Sequence, residues 1–87
     1  MQTLNELLKE HEEEMFLVKL KDIIKMKESK LFSREFIKEL KSEAFSYNTL
    51  YEGNVSDAPF TLISVDEYNF KTADQLQFCL DSGFDLM

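Results

Sequence analysis

The chain has 87 residues, the size of one domain, and its 44% hydrophobic content with eight Phe and three Tyr can fill an interior. A single Cys and a single His exclude both an intramolecular disulfide and a structural zinc site, which needs four such ligands. Ten Lys and Arg against 17 Asp and Glu leave a net charge of -7, which opposes the approach of polyanions.

No Gly or Pro precedes Gly53, and the first 52 residues are rich in good helix formers, so the pattern predicts helices throughout this stretch. Thr3 followed by Glu6 fits a capping box that opens the first helix. Leu4, Leu7, Leu8, Met15 and Val18, with His11 among them, share one stripe at helical spacing. From Phe16 a second stripe of Phe16, Leu20, Ile23 and Ile24 takes over, displaced by roughly 120°. The core face therefore changes side near residues 12–16, and a break at the run Glu12 to Glu14 is the preferred reading over one long helix.

Ser29 and Ser33 are the next N-cap candidates, the second just ahead of the periodic set Phe36, Ile37, Leu40, Ala44 and Tyr47. The spacing predicts a helix over about residues 33–46, with Arg34, Lys38 and Lys41 on one flank of its apolar stripe and Glu35, Glu39 and Glu43 on the other. The text then turns β-rich, and Asn48 to Glu52 and Pro59 to Val65 read as a hairpin around the loop Gly53 to Ala58. Such a hairpin must lie on the helices, through Phe60, Leu62 and Val65. Thr72 and Gln75 form a second capping box, and Gly83 followed by Phe84 reads as a Schellman ending, which predicts a last helix over about 73–82. The expected fold is α+β, with two or three N-terminal helices, a β-hairpin and a short C-terminal helix in a single domain over residues 1–87.

Glu6, Glu10 and Glu12 to Glu14 crowd the start, unlike a secretory signal, and the longest uncharged runs are eight residues, against the ~20 needed to span a bilayer. A lone Cys79 within a helical pattern suits a reducing interior. These features point to a cytoplasmic protein with no membrane partner. Lys outnumbers Arg nine to one, as AT-rich coding sequences of phage, mobile elements and low-GC bacteria tend to produce.

No catalytic, cofactor-binding or metal-binding residue is expected. The only imidazole, His11, lies among apolar neighbours, Cys79 has Asp74 and Asp81 as its nearest charges, and two glycines thirty positions apart cannot build a phosphate-cradling loop. Asp66 and Glu67 are adjacent carboxylates, which 17 acids produce by chance, and the segment from Asp81 to Asp85 lacks the ligand count of a calcium loop. The chain reads as non-enzymatic.

Charge is distributed unevenly. Residues 1–14 hold five acids and one base, residues 15–47 five acids and eight bases, and residues 48–87 seven acids and one base. The plainest account is a solvated surface. A sharper one gathers Glu52, Asp57, Asp66, Glu67, Asp74, Asp81 and Asp85 into one acidic face that binds the basic groove of a nucleic-acid-handling protein, as phosphates would. In size, charge and composition the chain resembles small acidic DNA-mimic inhibitors, with no family motif. Such a protein would act as a stoichiometric inhibitor or regulator. An alternative is an interaction or homodimerisation module whose anchors are Phe45, on the Arg34, Lys38 and Lys41 flank of its helix, and Met15, Val18 and Met26, which project away from the Phe16 to Ile24 stripe. A third reading has the central lysines and Arg34 contact nucleic acid directly, with Phe32 or Phe45 for stacking; the net charge ranks it last.

Overall fold

Thr3 opens the first helix, α1 (Leu4–Glu10), in the manner its spacing from Glu6 predicts. Its backbone N–H donates to Glu6 Oε1 at 3.0 Å, and its Oγ1 accepts from the Glu6 N–H at 3.2 Å. The Thr3 backbone N–H, and after it the Thr3 side chain, favour the charged form of Glu6 and hold its carboxyl below the usual range. The helix ends at His11, and Glu13 adopts a left-handed φ of 69°, so the acidic run is the turn that breaks it.

The computed structural model describes residues 2–50 and 59–87, and among these the chain after Glu14 enters a strand, β1 (Met15–Lys19). This corrects the expectation of helix throughout the N-terminal stretch. Phe16 and Val18 are fully buried while Met15, Leu17 and Lys19 are half-buried, the alternation of a pleated strand. Next comes α2 (Leu20–Ser29), whose first turn is closed by Asp22 Oδ2 accepting from the Lys19 N–H at 3.1 Å. It buries Ile23 and Met26 and exposes Ile24, so the second stripe, drawn as if from Phe16 onward the chain were helical, is rotated from the one expected. Ser29 closes this helix and does not open the next: its hydroxyl donates to Met26 O at 2.6 Å and accepts from the Leu31 N–H at 3.2 Å.

Ser33 caps α3 (Arg34–Leu50), its Oγ accepting from the Phe36 N–H at 3.1 Å. With no Gly or Pro to stop it, the helix runs past residue 46 through Asn48 to Leu50, because propagation adds a bond per residue once nucleated. The first arm of the expected hairpin is therefore helical as far as Leu50; Tyr51, Glu52 and the loop Gly53 to Ala58 lie outside the described residues, as does the side chain of Tyr47. The second arm is present as β2 (Phe60–Ser64), but its neighbour is β1. The Val65 N–H donates to Glu14 O and the Leu20 N–H to Pro59 O, each at 3.1 Å. Of the expected contacts Val65 is buried, whereas Phe60 and Leu62 are half-exposed and their neighbours Thr61 and Ile63 take the inward positions.

The last helix, α4 (Ala73–Asp81), begins with Thr72 Oγ1 accepting from the Gln75 N–H at 3.2 Å. Gln75 Oε1 accepts from the Lys71 N–H at 2.7 Å, one residue before the partner a capping box would give it. Gly83 ends the helix at φ 74° with its N–H on Leu80 O at 3.3 Å. An added Cβ there would meet nothing within 4 Å, so the backbone angle alone favours glycine. A short strand, β3 (Asp85–Leu86), pairs antiparallel with β1, Phe16 opposite Leu86 and Leu17 opposite Asp85. The antiparallel sheet has the order β2-β1-β3, and the architecture is α+β.

The chain divides into two compact units, Met1–Leu17 with Leu62–Met87, and Val18–Thr61. In the first, α1 packs on α4 and the core gathers Leu7, Phe16, Ile63, Val65, Phe70, Leu76, Cys79 and Phe84. The ring of Phe16 meets Phe70 at 5.9 Å and Phe84 at 6.5 Å between centroids, both edge to face, and Phe84 meets Phe78 at 6.1 Å. In the second, α2 packs on α3 around Val18, Ile23, Met26, Phe32, Ile37, Leu40 and Ala44. Thr61 is fully buried there, and its hydroxyl donates to Glu43 Oε2 at 3.1 Å.

Phe16→Ala should destabilise the protein by about 3–5 kcal/mol, the usual range for a buried ring, as read by denaturant unfolding. Lys30, which ends α2 at φ 62°, is a side chain in a conformation that favours glycine. Lys30→Gly should therefore stabilise by about 0.5–1 kcal/mol and raise Tm by about 2–8 °C in a thermal melt.

Candidate functional site

The first unit holds ten acids and two lysines, a net charge of -8, and the second seven acids and eight bases, a net charge of +1. The acidity of the chain thus belongs to one unit. Of the seven acids expected to act together, Glu52 and Asp57 lie outside the described residues, and the other five belong to this acidic unit.

Asp66 and Glu67 follow β2. Asp66 Oδ1 accepts from the Tyr68 N–H at 3.1 Å and the Asn69 N–H at 2.9 Å, while its carbonyl accepts from the Phe70 N–H at 3.0 Å. Its carboxylate is thereby committed to shaping the turn that delivers Phe70 to the core. The carboxylate of Glu67 is exposed, and its backbone carbonyl accepts from Lys71 Nζ at 3.1 Å. The same ammonium stands 5.5 Å from the centre of the exposed Tyr68 ring, a cation–π distance.

Both residues line a shallow groove of roughly 410 Å³ with Asn5, Leu8, Lys9, Glu12 and Val65. Glu12 joins them although it is more than fifty positions away in sequence. The expected acidic face lies wholly in the C-terminal half and omits Glu12; the surplus of acids in residues 1–14 is the signal for this side of the groove.

Asp74 and Asp81 form a second exposed row. Seven residues apart on α4, they share one face about 10.5 Å apart along the axis, and Gln77 between them donates to Asp81 Oδ1 at 2.8 Å. Asp85 is exposed on β3, where a charge discourages further strand pairing. The five carboxylates therefore occupy a groove, a helix row and an edge strand of one unit, and the groove takes in only Asp66 and Glu67.

Phe45 is 53% exposed on α3, as its position off the apolar stripe predicts. Its expected companions are not: Val18 and Met26 are fully buried and Met15 is half-buried, because β1 directs Val18 inward and α2 turns Met26 to the core. Cys79 is fully buried, and His11 Nδ1 lies 3.1 Å from Glu14 Oε1 at the end of α1. Among the described residues no group of His, Cys, Asp or Glu could hold a metal ion, and no helix is long and apolar enough to cross a membrane.

Compared with protein-family models, curated proteins and solved structures, the chain matches none.

Removing the Asp66 carboxylate orphans two backbone donors, so Asp66→Ala should destabilise by about 1–2 kcal/mol. Glu67→Ala should stay within about 0.5 kcal/mol of the wild type. Parallel urea titrations of the two variants compare them directly.

Proposed function

We propose that this protein is a non-enzymatic inhibitor or regulator that binds, in the cytoplasm, a basic nucleic-acid-handling protein through its acidic unit. The observation that carries the reading is the charge of -8 on that unit, displayed as exposed carboxylates on a helix row, a groove and an edge strand. Carboxylates fixed on regular elements offer a basic groove the anions it otherwise finds on phosphates, and association between such surfaces is fast and salt-sensitive. The buried thiol of Cys79 suits a reducing compartment. Phe45, the exposed aromatic of α3, favours a second reading in which an apolar anchor holds the partner and charge only steers it.

The test is capture from nuclease-treated lysate by the tagged wild type and by a Glu67→Lys, Asp74→Lys, Asp81→Lys variant, with circular dichroism to confirm its fold. Asp66 is left in place because it holds a turn. The expected result is a basic nucleic-acid-binding protein that is released by high salt, competed by added duplex DNA and reduced about tenfold or more in the variant. Equal capture by both proteins would overturn the acidic reading. A partner that survives high salt and is lost in Phe45→Ala would install the apolar one.

A further inference from the structure

The second unit carries a pocket of roughly 290 Å³ lined by Lys27, Lys30, Phe32, Arg34 and Ile37. Its floor is apolar and firm: Phe32 and Ile37 are buried, and the Phe32 ring stacks on Phe36 with centroids 5.7 Å apart. Its rim is three cations, none of which makes an ion pair among the described residues. The nearest acids in sequence, Glu28 on α2 and Glu35 on α3, are exposed and do not line the pocket.

Helix electrostatics disfavours one of the three cations, and backbone geometry strains another. Lys30 occupies a left-handed backbone position at φ 62°, which a glycine would adopt with less strain. Arg34 is the first residue of α3, where a positive side chain is opposed by the partial positive charge of the helix N-terminus. Lys27, in the last turn of α2, and Lys30, its C-cap residue, both sit at the helix end that favours a cation. Three cations around one cavity repel one another, and an anion in the pocket would relieve that repulsion and the mismatch of Arg34 with the α3 N-terminus, which the free protein tolerates.

We infer that this pocket binds a small organic phosphate of the nucleoside phosphate class, with its phosphoryl oxygens held by Lys27, Lys30 and Arg34 and its ring body against Phe32 and Ile37. Phosphoryl oxygens suit the fork of Arg and the point charges of Lys, and the buried apolar floor suits a ring that adds contact area beyond a bare anion. A free nucleotide is favoured over a strand on two grounds. The volume lies near the lower end of the ~300–1,000 Å³ range of small-molecule sites, and the net charge of -7 repels a long polyanion far more than a small one. The inference is independent of the acidic partner surface.

Calorimetric titration of the full chain with adenosine diphosphate, pyrophosphate, adenosine and a short oligothymidylate tests it. The expected result is a Kd below about 1 mM for adenosine diphosphate that weakens with salt, with pyrophosphate and adenosine each about tenfold weaker. Arg34→Gln and Lys30→Gly should each weaken binding about tenfold, while Lys21→Gln and Lys25→Gln, exposed on α2 outside the pocket, leave it unchanged. Lys30→Gly separates a structural from a binding role, because it should melt higher than the wild type and bind less. A Lys30→Gly protein that melts higher and binds adenosine diphosphate as the wild type does would overturn the inference. So would no binding at millimolar ligand, or an equal loss in Lys21→Gln. Tighter binding of the oligothymidylate than of adenosine diphosphate would overturn the small-ligand assignment in favour of a strand.

Discussion

The ring of Phe16 is the contact on which the first unit depends. It lies fully buried on β1 with Phe70 and Phe84 edge to face against it. Each of those partners is delivered by a separate local device: Phe70 by the turn that the Asp66 carboxylate holds, and Phe84 by the left-handed glycine that ends α4. The buried cluster and the surface acid are thus two ends of one arrangement, since a side chain that looks like part of an electrostatic face also sets the position of a core ring. This is why carboxylates of the same unit cannot be treated as equivalent contributors to binding.

Much of the local punctuation was legible in the sequence. The caps at Thr3, Ser33 and Thr72 and the glycine ending at Gly83 all stand where short-range chemistry places them, because a cap depends on neighbours three or four positions away. The break at the acidic run was also legible, as a shift in the apolar stripe. What failed was β1. Five residues are too few for periodicity to separate i, i+2 from i, i+4, and Phe16 fits either pattern. Its strand state is decided by β2 and β3, which come more than forty residues later in the chain. The partner of β2 was misread for the same reason, since sheet neighbours are a tertiary choice. The acidic count was visible from sequence, whereas its grouping was not: Glu12 enters the groove with Asp66 and Glu67 only through the fold.

Charge separation gives the chain two chemistries. One unit is a concentrated anion, and the other is nearly balanced in total but keeps around an apolar cavity three cations that make no ion pair among the described residues. The proposals made for them call on opposite signs, and neither needs a nucleophile, a metal or a perturbed acid. Both rely on side chains displayed by a turn, a strand or a helix end that backbone hydrogen bonds hold in place.

The order of the sheet also bears on synthesis. Its middle strand, β1, leaves the ribosome first, and β3, which completes its pairing, is made last, some 66 residues afterwards between Lys19 and Asp85. At about 5–20 residues per second, the backbone groups of β1 wait roughly 3–13 seconds for that partner. Until β2 and then β3 emerge, the segment from Met15 to Lys19 is an apolar stretch with unpaired backbone groups in a nascent chain, and its five-residue length, with Glu14 before it and Lys19 at its end, limits how far it can pair with its neighbours on a polysome.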